Sequence, residues 1–132
     1  MGTYPTKFTQ IIGGRLLEVG TTNSSYNALE NKESPKYVVS PRLEFDIGVL
    51  TIENPFILQN GTTHLSSTDS LINSELNKLV GKCVVDSVYE NDSIVVRFET
   101  GASIIISLRD EDYNSPEAGN FVPRVGSTIM FN

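Results

Sequence analysis

A chain of 132 residues, 39% hydrophobic and 20% charged, has the size and make-up of one folded domain that needs no disulfide or metal staple, which excludes a disordered or collagenous segment. A formal net charge of −6 and a pI near 4.7 argue against a nucleic-acid backbone as partner and leave room for a basic protein. The single cysteine, Cys83, excludes an internal disulfide scaffold, and with no signal sequence or membrane-length apolar run a cytoplasmic address with no membrane partner is expected.

The first expected element is a short helix over residues 3–13. Pro5 suits the first helical position, Phe8, Ile11 and Ile12 share one face, and Gly13 can take the left-handed conformation that ends a helix. Gly2 and Thr6 also fit the myristoylation pattern, but no basic cluster flanks them and one acyl chain anchors poorly. Residues 15–19 read as a strand. The stretch Thr21 to Lys36, rich in Thr, Ser, Asn, Lys and Glu, reads as an exposed loop carrying Glu30 and Glu33. Arg42-Leu43-Glu44-Phe45 then alternates polar and apolar, turns through Asp46-Ile47-Gly48 and returns as Val49 to Ile52, with Leu43 and Phe45 on one face. Asn60-Gly61-Thr62-Thr63 is a turn.

A second helix follows. Ser66 and Asp69 stand at capping-box spacing, Ile72, Leu76, Leu79 and Val80 form its apolar stripe, and Gly81 stops it. Cys83 to Tyr89 reads as a strand, in which Cys83 is expected to be a buried, inert thiol. Ile94 to Phe98 and Ser103 to Ser107 read as a hairpin with Val96 and Phe98 on one face. The run Ile104-Ile105-Ile106 suggests a strand central in its sheet. The tail opens with Asp110-Glu111-Asp112-Tyr113, turns at Ser115-Pro116-Glu117 and ends in a strand, Ser127 to Phe131, whose apolar residues dock the C-terminus.

The two halves echo each other. Phe8, Ile11, Ile12, Gly13, Leu16, Leu17 and Glu18 are matched by Leu76, Leu79, Val80, Gly81, Val84, Val85 and Asp86, an offset of 68 residues from Gly13 to Gly81. Leu43, Phe45, Asp46, Gly48 and Ile52 are matched by Val96, Phe98, Glu99, Gly101 and Ile105, an offset of 53 from Gly48 to Gly101. The expected fold is therefore α+β: one domain over 1–132, with a largely antiparallel sheet, two short helices and a duplicated helix-strand-hairpin unit at about 3–58 and 66–109.

Chemistry is sparse. The one histidine, His64, has no second histidine or cysteine near it to share a metal and no nucleophile context, so it reads as a surface residue. There is no phosphate-binding loop, since Gly13-Gly14 follows a helix instead of preceding one. The acids Asp86, Glu90 and Asp92, and Asp110, Glu111, Asp112 and Glu117, lack calcium-loop spacing. No cofactor, metal or catalytic group is expected.

The segment from Leu79-Val80-Gly81-Lys82 through Phe98-Glu99-Thr100-Gly101 to Ser115-Pro116-Glu117-Ala118 resembles small bacterial domains encoded beside polymorphic or contact-dependent toxins, the immunity proteins. The resemblance implies a non-enzymatic module that binds and blocks a cognate toxin. An acidic surface suits such a basic partner: Asp110, Glu111, Asp112 and Glu117 with Tyr113 as an aromatic anchor, or Glu30 and Glu33. Two other classes stay open. One is a small-molecule site or an enzyme whose carboxylates converge only in the fold; the other is a homo-oligomeric subunit, such as a homodimer through the edge of the 127–131 strand.

Overall fold

Gly13, at φ +91°, reverses the chain after a single 3-10 turn, Thr9–Ile11, and Phe8 and Ile11 bury their side chains beneath it. The structure, a computed structural model, describes residues 8–26, 36–113 and 117–131. Among the described residues ten strands follow the turn in chain order. They are β1 (Leu16–Tyr26), β2 (Lys36–Phe45), β3 (Gly48–Ile52), β4 (Phe56–Asn60), β5 (Thr63–Ser66), β6 (Val84–Glu90), β7 (Ser93–Phe98), β8 (Ser103–Ser107), β9 (Gly119–Pro123) and β10 (Ile129–Phe131). One α-helix, α1 (Ile72–Asn77), stands between β5 and β6, and a second 3-10 turn, Asp110–Asp112, follows β8.

The strands form two five-stranded antiparallel sheets, ordered β1-β2-β3-β9-β10 and β5-β4-β8-β7-β6. Each sheet joins a three-strand meander from one half of the chain to a two-strand hairpin from the other. Through Glu53-Asn54-Pro55 the chain leaves β3 for the second sheet, where β4 pairs with β8; after β8 it returns, and β9 pairs with β3. Equivalent bonds pin the two crossings: the Glu53 N–H donates to Ala118 O (2.8 Å) and the Ser107 N–H to Pro55 O (3.0 Å).

One scheme of bonds also joins the starts of β1 and β6, beside an antiparallel bridge between Arg15 and Cys83. The Gly13 N–H donates to Val84 O (2.8 Å) and the Gly81 N–H, also on a residue at φ +91°, to Leu16 O (2.7 Å). Leu16 N–H donates to Lys82 O (3.0 Å), and Val84 N–H to Gly14 O (2.9 Å). Asp46 Oδ1 accepts the Arg15 N–H at 2.9 Å, and Glu99 Oε2 accepts the Cys83 N–H at 3.0 Å. Each strand carries a register shift at its start, between Leu16 and Glu18 and between Val84 and Asp86.

The turns of the two hairpins differ in length by one residue. Phe45 pairs with Gly48 across Asp46-Ile47, whereas the Phe98 N–H reaches Ala102 O across a longer turn with Gly101 at φ +93°. Ile52 and Ile106 are inward and buried, Ile105 outward and half-buried.

The core lies between the sheets and is built from alternate residues of both. Leu43, Phe45, Leu50, Ile52 and Phe121 face Leu58, Ile94, Val96, Phe98, Ile104 and Ile106. Phe45 stacks on Phe98 with centroids 6.3 Å apart, and Phe8 sits edge-on to Phe121 (5.4 Å) and Phe131 (5.0 Å). In β10, which covers Ile129–Phe131 of the strand expected over 127–131, Phe131 is fully buried and Met130 is exposed.

Several expectations are corrected. Of the helix over 3–13, residues 3–7 lie outside the described residues, and the described part makes only the 3-10 turn. The second helix begins at Ile72 without a side-chain cap: Asp69 Oδ1 takes the Leu71 N–H (2.9 Å), while Ser66, still in β5, meets the Thr68 hydroxyl (2.9 Å). Ile72, Leu76 and Leu79 are buried, but Val80 is exposed. Thr21–Tyr26 and Lys36 belong to paired strands, because β1 and β2 continue as a two-stranded ribbon with Tyr26 opposite Lys36. Polar composition hid that ribbon, because Thr21 to Tyr26 carries no apolar alternation to mark a strand. Cys83 is half-buried, since it stands before β6 at the seam between the sheets.

Candidate functional site

The outer face of the second sheet carries an apolar row. Cross-strand pairing sets Ile57 beside Ile105, Ile105 beside Val95 and Val95 beside Val88. Strand alternation turns all four away from the core. Ile57 is 42% exposed, Ile105 and Val88 are half-buried and Val95 is buried. The corresponding row on the first sheet runs Asn120, Thr51, Arg42, Gly20 and is polar. Met130 (62% exposed), paired with Asn120, ends that row at the edge of the sheet, and Val122 (47%) stands exposed on the next row, opposite Val49.

Acids flank the apolar row. At one end lies a cleft of about 350 Å³ floored by Ile57 and Ile105 and walled by Asp92, Ser107, Arg109 and Asp112. The β6–β7 turn brings Asp92 there: Asn91 (φ 50°) and Asp92 (φ 56°) both adopt the left-handed conformation that a two-residue hairpin turn demands. Asp112 is held from the other side, its Oδ2 accepting the Ser107 hydroxyl at 2.5 Å. Arg109, the cation of this cleft, reaches Glu111 at 3.4 Å. Along the next row Arg97 approaches Asp86 at 3.9 Å.

The sequence-derived acidic surface is thus divided. Asp112 enters the cleft, whereas Asp110 and Glu111 stand exposed on the 3-10 turn. Tyr113 is half-buried and packs against the core. Glu117 is half-buried and accepts a bond from Asn120 Nδ2 (3.1 Å) at the start of β9. Glu30 and Glu33, with Gly2, Thr6, Ser115 and Pro116, lie outside the described residues. His64 is exposed on β5. Asp92 and Asp112 come from separate stretches of sequence and share one cleft only because β7 and β8 are neighbours.

A second cleft, of about 250 Å³, adjoins the first across Pro55, Phe56, Ser67 and Thr68, and was not foreseen from sequence. It opens beside the crossing from β3 to β4 and is lined by Glu53 and Asn54 together with Ile52, Phe56, Thr68 and Ile72. Glu53 Oε1 accepts the hydroxyl of buried Ser40 at 2.6 Å. Asn54, 3% exposed, donates through Nδ2 to Ser107 O at 2.8 Å, and its Oδ1 is buried without a hydrogen-bond partner. In sequence, Glu53-Asn54-Pro55 gives only a turn signal.

Among the described residues no three His, Cys, Asp or Glu side chains come together to hold a metal, and no helix is long and apolar enough to cross a membrane. No protein-family model matches the chain, and the searches of curated proteins and of solved structures likewise give no match.

Proposed function

We propose that this protein is a non-enzymatic binding module that receives a basic protein on the outer face of its second sheet, and most specifically an immunity protein that neutralises a bacterial toxin by covering it. The observation that carries the reading is the row Ile57, Ile105, Val95, Val88, set in register across four strands and flanked by Asp86, Asp92 and Asp112. We also infer that the frame is internally duplicated. On that inference the two sheets are comparable, and the polar row Asn120, Thr51, Arg42 indicates that the frame does not itself require apolar residues at these outward positions. A contiguous apolar stripe rimmed by charge suits a partner that buries the stripe and pairs with the rim. The net charge of −6 favours a basic partner and speeds its approach.

The test is capture from the source lysate with wild-type protein and with Ile57→Asp as parallel baits. The expected result is one stoichiometric basic protein, released by high salt and missing from the variant, whose toxicity on co-expression is relieved by the wild-type protein alone. A partner retained equally by Ile57→Asp would refute this face as the binding surface.

Two further readings have specific support. The convergence of Asp92 and Asp112 over an apolar floor suits a small-molecule site, which a ligand-dependent rise in melting temperature would reveal. The position of β10 at the edge of the first sheet suits a homodimer by strand addition, which light scattering would reveal.

A further inference from the structure

The cleft at the β3–β4 crossing offers acceptors. Asn54 is fixed in orientation, because Ser107 O can take only its amide nitrogen, and that leaves Oδ1 as the buried atom without a partner. An orphaned buried acceptor carries an uncompensated desolvation cost, so a donor that reaches it is favoured by that site beyond an ordinary surface contact. Glu53, on the next residue, lines the same cleft and is half-buried. Its carboxylate takes the Ser40 hydroxyl on one oxygen and has lone pairs for further donors. Phe56 and Ile72 provide apolar wall for an alkyl stem, and the hydroxyl of Thr68 stands at the rim. Among the described residues no Lys or Arg lines this cleft.

The geometry points to a subsite for a guanidinium group, supplied as an arginine side chain of the basic partner. A guanidinium carries five N–H donors in a planar fork and accepts none, which matches a carboxylate beside an amide oxygen better than a single ammonium does. The cleft adjoins the apolar row through Pro55 and Phe56, so an arginine from a protein seated on that row is within reach of it. This inference rests on the binding-module reading and adds the identity of the anchoring side chain and its receptors, Glu53 and Asn54.

The test titrates the full isotope-labelled chain with ethylguanidinium chloride, following amide signals, with sodium chloride and n-butylammonium chloride as controls. The expected result is a saturable shift confined to the Asn54 side-chain amide and the backbone amides of Glu53, Asn54, Phe56, Ser67 and Thr68. It should be stronger for ethylguanidinium than for butylammonium, absent with sodium chloride, and weakened by roughly tenfold or more in Glu53→Gln, which keeps an acceptor for Ser40 while losing the charge. A non-saturating or scattered response, or one unchanged in Glu53→Gln, would overturn the subsite and leave water as the partner of Asn54 Oδ1. A captured basic protein that binds Glu53→Gln as tightly as wild type would overturn the subsite and leave the binding face standing. A saturable, Glu53-dependent response to ethylguanidinium with no captured protein would overturn the arginine source and assign the cleft to a small free guanidinium compound.

Discussion

The stack of Phe45 on Phe98 is where the two sheets can be tested against each other. Both rings are buried, at 0% and 1% exposure, and they meet across the sandwich at 6.3 Å with planes 22° apart. Truncating either to alanine removes a large buried ring and leaves a cavity, which costs about 3–5 kcal/mol. A domain of this size has roughly 5–15 kcal/mol of stability in total, so each single variant should fold but with a much lower urea midpoint. The double variant is informative because part of each loss is the same contact. Aromatic pairs contribute about 0.5–1.5 kcal/mol beyond area burial, so the double variant should lose less than the two singles together by about that amount. Urea unfolding of wild type, Phe45→Ala, Phe98→Ala and the double variant measures the cycle; if the double variant unfolds in buffer, Phe→Leu at both positions replaces it. Strict additivity, or a single-variant loss below about 1 kcal/mol, would refute the packing of β2 and β7 face to face.

Two further predictions concern the crossing and the seam. A Cβ added at Gly119 would lie 2.5 Å from Thr51 O, a backbone atom of the neighbouring strand, whereas at Gly20 the nearest atom is 3.9 Å away. Gly119→Ala should therefore lower stability by about 1–3 kcal/mol in urea unfolding, as overpacking does, while Gly20→Ala should change it little or raise it slightly. Asp46→Ala and Glu99→Ala each release one backbone N–H, that of Arg15 and that of Cys83, from closely similar bonds of 2.9 and 3.0 Å. Each should cost about 1 kcal/mol by the same assay, with amide exchange accelerated at Arg15 in one case and Cys83 in the other. A large loss in one variant and none in the other would show that the two joints do not carry equivalent roles.

What the sequence made legible follows from which residues had to be apolar. The hairpins at 42–52 and 94–107 were readable because one face of each is buried and period-2 alternation records that. Gly13, Gly81 and Gly101 were readable as turn residues because each takes a positive φ. The central position of β8 was readable from three consecutive isoleucines, although Ile105 faces outward over a cleft and not into a second covered layer. The β4–β5 and β9 strands were missed because short strands bounded by Pro55, Gly61 and Gly119 look like loops until a partner strand is known. The candidate site was the least legible part. Asp112 was singled out for the company it keeps in sequence, yet its neighbours in space are Ser107 and the β6–β7 turn. Glu53 and Asn54 gave no signal, because a residue beside proline announces a turn whatever its side chain does.

The interlocked connection frees the outer faces of both sheets from holding the frame together. Were each half to close on its own hairpin, β3 would pair with β4 and β8 with β9, and two small three-layer problems would have to be solved with half a core each. By sending β4 to β8 and β9 to β3, the chain ties both sheets through backbone bonds at Glu53–Ala118 and Ser107–Pro55, and all of the buried phenylalanines serve one interior. The outward residues are then released from stabilising the frame, so the two sheets can differ there at little cost. They do differ: Asn120, Thr51 and Arg42 face water on one sheet, and Ile57, Ile105 and Val95 make the stripe on the other. The crossing between sheets also creates the clefts, because a three-residue link from β3 to β4 on one side and an eleven-residue link from β8 to β9 on the other cannot pack alike. The shorter link leaves Asn54 buried with one acceptor unused, and the longer one carries Asp112 over the apolar floor. The two clefts thus meet at one end of the second sheet, beside the apolar row, which is why the proposed binding face is tested there with Ile57→Asp and Glu53→Gln.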